Sequence, residues 1–170
     1  SEPTVLNLSS GSNISTLDPA LATDSVSITP IQNLFFWFTD IDPFTSEIVP
    51  ELATHWEVSG DGLAWTFHLR DDVIWMHYDP ATQTSTQIRP VTADDFVYAV
   101  QRACDPRLES YYGTVIASVI AGCDVVNNTP VDDVTDDLIF GDTIQIQAID
   151  AATLSINLTF TSDFFLTKNT

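Results

Sequence analysis

The stretch from Pro50 to Arg70, PELATHWEVSGDGLAWTFHLR, restricts the fold more than any other part of the chain. Trp56 and Val58 alternate with polar neighbours, and so do Trp65, Phe67 and Leu69. Between the runs lies Ser59-Gly60-Asp61-Gly62, whose glycines reach positive φ at little cost. Two period-two runs around such a turn predict a β-hairpin with one buried face. At 170 residues, with 44% hydrophobic residues, the chain can build a core for that face to cover.

The same reasoning orders the rest of the chain. Val5 to Leu8 reads as a short strand, and Ser9 to Ser15 as loop. Pro19 turns Asp18 away from helix. Thr29 as N-cap and Pro30 at the first position predict a helix that buries Ile31, Leu34, Phe35 and Phe38 and ends by Asp40. Val73 to Trp75 predicts a third strand, and His77 to Pro90 an exposed loop or a small hairpin. Thr92 caps a second helix, with Asp94 and Asp95 at the positive end of its dipole and Asp105-Pro106 as its stop. A third helix carries Val115, Ile116, Val119, Ile120 and Cys123 on one face. Asn127 to Asp142 reads as an acidic connection. Ile144, Ile146 and Ala148, then Leu154, Ile156, Leu158 and Phe160, predict a second hairpin, followed by an apolar helical turn at Phe164 to Leu166.

Five basic residues face twenty-four acidic ones, which argues against nucleic acid and anionic lipid as partners. The acids are scattered, so solubility explains them better than chelation. Asp132, Asp133, Asp136, Asp137 and Asp142 lack the alternation and central glycine of a calcium loop. No apolar run approaches membrane-spanning length. Ser1 to Thr4 has neither the basic nor the apolar region of a signal peptide, so the chain is either cytoplasmic or a mature or trimmed product. Nucleophile elbow, phosphate loop and zinc-protease signatures are absent. His55, His68 and His77 show no metal spacing, and His68 is expected on the outer face of the first hairpin. Cys104 and Cys123 are either two buried thiols or one disulfide. If both helices are antiparallel, those cysteines lie at ends that do not meet, so a bridge needs a steep crossing or a long connection. Residue chemistry alone therefore stops at an acidic α/β domain without a catalytic signature.

The order of the motifs says more. LDPALATDSVSITPIQNLFFWFTDIDPFTSEIVPELA, PELATHWEVSGDGLAWTFHLRDDVIW, PVTADDFVYAVQRACDP, VIAGCDVV and IQAIDAATLSINLTFTSDFFL follow one another. Together they resemble the extracytoplasmic solute-binding proteins of peptide ABC transporters (family 5), and among them the oligopeptide-binding proteins. WTFHLR and TADDFVYAVQR are quite specific as a pair. The resemblance implies a mixed α+β chain: the start of lobe one of a two-lobed type II periplasmic-binding-protein fold plus its extra domain, with two hairpins packed on two central helices. Residues 1–44 would open lobe one, 45–160 would form the extra domain, and 161–170 would begin the return to lobe one. Because members are much longer, it also implies an N-terminal fragment. Two departures stand out. Residues 77–89 replace the family's short Asp-Gly turn, and the cysteine pair is not general in the family.

The implied function is non-enzymatic and needs no cofactor. The protein would capture an oligopeptide or related solute outside the membrane, periplasmic or at the cell surface, and pass it to permease subunits. A lipid anchor on the whole protein is compatible with this. The matching ligand contacts are main-chain groups of Thr23, Asp24 and Ser25, in strand-like recognition, and the side chain of Tyr112. The exported setting favours a Cys104–Cys123 disulfide. The alternative is a stand-alone acidic interaction or cation-binding domain, with an enzyme third.

Overall fold

The structure, a computed structural model, describes residue 9 and residues 11–161. The predicted strand over residues 5–8 and the helical turn over 164–166 lie outside these. The centre is an antiparallel sheet built from both predicted hairpins: β3 (Ala53–Val58), β4 (Ala64–Leu69), β7 (Ile146–Asp150) and β8 (Thr153–Asn157), in the order β3-β4-β8-β7. Two short ribbons flank it, β1 (Thr39–Ile41) with β2 (Ile48–Pro50) and β5 (Ile74–Asp79) with β6 (Thr84–Pro90).

Period two decides which sheet face is covered. Trp65, Phe67 and Leu69 of β4 are buried, as are Leu154 and Ile156 of β8. Onto this face pack helix α2 (Ala93–Cys104), helix α3 (Gly113–Val119) and helix α4 (Cys123–Asn127). The ring of Phe38 stacks on Phe67 (centroids 4.9 Å apart) and on Phe96 of α2 (4.3 Å), joining sheet to helix.

Three expectations are corrected. The first helix, α1 (Ser25–Leu34), starts five residues earlier than Thr29-Pro30 suggested. Asp24 caps it, accepting from the Ser27 N–H at 2.9 Å, and Pro30 sits inside it. Of the predicted stripe only Ile31 is buried, and Leu34 is 63% exposed. Phe38 reaches the core from extended chain ahead of β1, where Ala53 N–H bonds its carbonyl.

The predicted third helix breaks in two. Ile120 pairs with Leu158, Ala121 N–H donates to Asn157 O, and Gly122 turns the chain at φ +82°. Main-chain pairing to the continuation of β8 thus replaces the next helical turn. Cys123 consequently opens α4 rather than closing α3, and its Cα lies 5.5 Å from that of Cys104, to which it is disulfide-bonded.

The acidic connection is also more ordered than expected. Thr135 caps a fifth helix, α5 (Asp136–Phe140), which inserts Ile139, fully buried, into the core. Asp136 and Asp137 occupy its first turn, where the dipole favours them, and Asp136 also accepts from Arg107 at 3.1 Å. Of the two readings for 77–90, a hairpin forms, as the β5–β6 ribbon.

Asp95 ties that ribbon to α2. Its carboxylate accepts from Thr92 N–H (2.9 Å), from Trp75 Nε1 (3.1 Å) and from both guanidinium arms of Arg89. Burial pushes its pKa up, but these donors outweigh burial and bring it down to about 2. A depressed carboxylate stabilises the fold above its unfolded pKa, and that stability is lost as pH falls from about 4 through about 2. Arg89 is half exposed, so screening trims the contribution to about 1–2 kcal/mol. Asp95→Asn should therefore melt earlier than wild type at pH 7, with the gap closing at pH 2. Thermal melts at the two pH values check this.

Candidate functional site

The loop from Ser15 to Ser25 is organised by its own short polar side chains. Asp18 N–H donates to Thr16 Oγ1 (3.0 Å), and Ala20 N–H to Asp18 Oδ1 (3.0 Å). The Asp18 carbonyl accepts from Leu21 and Ala22, both at 3.1 Å. Such side-chain bonds to nearby backbone set a turn without regular secondary structure. The Asp24 carboxylate receives Ser15 Oγ–H (2.8 Å) as well as Ser27 N–H, and these bonds lower its pKa, the Ser15 bond most. Ser27, fully buried, holds the far side by accepting from Ser15 N–H at 3.2 Å.

Two long-range ties fix this loop to the sheet-and-helix body. Arg102, in the last turn of α2, forks onto the Asp18 carboxylate, with one arm at 2.9 Å. That bond lowers the Asp18 pKa and outweighs the effect of burial. Ser110 Oγ donates to the Ala20 carbonyl at 2.6 Å. Two residues on, Tyr112 precedes α3; it is 42% exposed and meets Tyr111 edge-on at 5.1 Å.

The sequence-predicted residues are thus distributed as follows. Thr23 is exposed, and its main chain makes no hydrogen bond to another described residue. Asp24 is the helix cap and Ser25 the first residue of α1, at the end where N–H groups lack intrahelical partners. Tyr112 belongs to the segment that Ser110 ties to the Ala20 turn. The cysteines lie elsewhere, fully buried between α2 and α4. Sequence reasoning missed the ties themselves. The partner of Arg102 lies 84 positions away and leaves no local signal in the sequence.

The profile described as bacterial extracellular solute-binding proteins, family 5 middle, matches residues 47–169. The chain belongs to that family. Among its relatives is the periplasmic murein peptide-binding protein MppA of Escherichia coli, 38% identical over 142 residues, which is 84% of this chain and 23% of that protein. The oligopeptide-binding protein OppA of Bacillus subtilis is 32% identical over 95% of this chain and 26% of its own length. The substrate-binding domain of an oligopeptide ABC transporter from Bacillus anthracis superposes with a TM-score of 0.71 at 26% identity, over 92% of this chain and 26% of that one. The fold is therefore that of the type II periplasmic binding proteins. The chain spans about a quarter of the length of the relatives it matches.

Proposed function

We propose that this chain is the opening portion of a solute receptor of an ABC importer, one that captures oligopeptides outside the membrane and delivers them to the permease. In this reading residues 1–44 begin lobe one, 45–160 form the extra domain, and 161–170 return to lobe one. The role is binding, without catalysis. The main chain of Thr23, Asp24 and Ser25 pairs with the peptide main chain, and Tyr112 packs against it.

One observation carries the reading: the loop whose Thr23 main chain makes no hydrogen bond to another described residue is tied to the body twice just ahead of Thr23, by Asp18–Arg102 and by Ala20–Ser110. A preset edge of this kind gives affinity through backbone bonds whatever the side-chain sequence. The family membership and the peptide-binding names of the relatives support it.

The test is calorimetry on the complete polypeptide that carries this chain, titrated with short peptides of varied sequence. The expected result is one peptide per protein, and a several-fold weaker affinity in Arg102→Met, whose loop loses its tie. Absence of binding to every peptide tried, with a non-peptide solute bound instead, would overturn the assignment.

A further inference from the structure

The outer face of the sheet carries a feature that peptide capture does not use. His55 of β3 and His68 of β4 are direct cross-strand partners. Their rings stack, with centroids 4.2 Å apart and planes within 8° of parallel. Both project from the face opposite Phe67, on a hairpin whose other side is anchored in the core.

The hydrogen bonds around the pair set which nitrogen of His55 is available. Thr54 Oγ1 lies 2.9 Å from the His68 carbonyl, an acceptor only, so the single hydroxyl proton goes there. The same oxygen lies 3.0 Å from His55 Nδ1 and must accept from it. His55 therefore holds its proton on Nδ1 and presents a bare lone pair at Nε2. This arrangement, one ring nitrogen bonded to an oxygen and the other free, is the one that orients metal-ligating imidazoles.

We propose that His55 and His68 form an open, two-imidazole site for a late first-row divalent metal ion, Cu²⁺ or Zn²⁺, with water completing the coordination. Each lone pair lies in its own ring plane, so parallel stacked rings do not share an ion as they stand. Both imidazoles must turn about their Cβ–Cγ bonds until their planes meet at it, which two directly opposed cross-strand side chains, His55 exposed and His68 half-buried, can do. Among the described residues no third His, Cys, Asp or Glu completes a ligand cluster. Asp150 is two strands away, across Thr153, and Glu57 lies two residues along β3 on the same face. Their charge, with a net −19 overall, draws cations towards the pair without ligating them. Imidazole ligands favour copper and zinc over magnesium or calcium, and the affinity order puts Cu²⁺ first.

The experiment is calorimetric titration of the full chain, purified without a histidine tag, with CuCl₂ and with ZnCl₂, alongside thermal melts. The expected result is one equivalent bound and a raised midpoint. His55→Ala and His68→Ala should each weaken binding at least tenfold. Thr54→Val should weaken it about tenfold, because His55 loses the partner that fixes its tautomer. His77→Ala, on the β5–β6 ribbon, should leave binding unchanged. Thr54, His55 and His77 are exposed and His68 is half-buried, so the metal-free melting points should stay close to wild type. Absence of a saturable heat for either metal would overturn the proposal. So would binding that survives His55→Ala and His68→Ala, or that falls equally with His77→Ala.

Discussion

Phe67→Ala should lower the unfolding free energy of the chain by about 3–5 kcal/mol, the cost of emptying a large site in a packed core. Phe67 has no exposed surface, and it lies between the rings of Phe38, Trp56 and Trp65. The hole would open where the sheet, α2 and the chain just ahead of β1 converge, and none of the three can move in without losing its other contacts. The loss also removes a stacked pair, worth about 0.5–1.5 kcal/mol beyond its buried area. Urea unfolding followed by tryptophan fluorescence measures the effect. Val58→Ala in the same hairpin is the comparison: Val58 is 43% exposed, and a change within about 0.5 kcal/mol is expected. Equal effects at the two positions would mean that the hairpin does not pack as described.

Gly122→Ala should destabilise by about 2–5 kcal/mol. Its φ of +82° alone costs an L side chain about 1–2 kcal/mol. An added Cβ would also run into the Thr143 carbonyl, whose carbon would be 2.8 Å away. Both groups are backbone, so relief requires the chain to move, and overpacking of this kind costs about 1–3 kcal/mol more. Movement there would pull Cys123 from Cys104, because Gly122 sets the entry into α4. The variant should accordingly contain a larger fraction of free thiol after oxidative refolding, measured by alkylation without reductant. Gly60→Ala, with nothing within 4 Å of its added Cβ, is expected to be near neutral.

Much of this fold could be read from the chain because its strands alternate so regularly. Trp65-Thr66-Phe67-His68-Leu69 and Leu154-Ser155-Ile156 each specify a buried face through period two, and both occupy the sheet as expected. Helix α2 was legible from Thr92, which stands at its N-cap, and from Asp94 and Asp95 in its first turn. What failed was local competition. Thr29-Pro30 is a sound helix start, but Asp24 supplies a carboxylate at the right distance one turn earlier, and a proline inside the helix is tolerated. The apolar face from Val115 to Cys123 obeys helical spacing, yet Ile120 satisfies its backbone on Leu158 instead. That choice is tertiary, and a pattern within one segment does not contain it. The same holds for the site. Thr23 to Ser25 and Tyr112 came from resemblance to a family, whereas the ties through Arg102 and Ser110 came only from the structure. The His55–His68 contact depends on strand register, which a one-residue slip would abolish.

The central claim, which rests on the proposed function, is that this chain offers a prearranged main-chain edge to a peptide. Hydrogen–deuterium exchange on the complete polypeptide, with and without a saturating oligopeptide, tests it without altering a residue. Exchange should slow in the segment spanning Thr23 to Ser25 and around Tyr112, while the core strands β4 and β8, protected already, stay unchanged. Saturable peptide binding that leaves exchange in both segments as it was would contradict the claim.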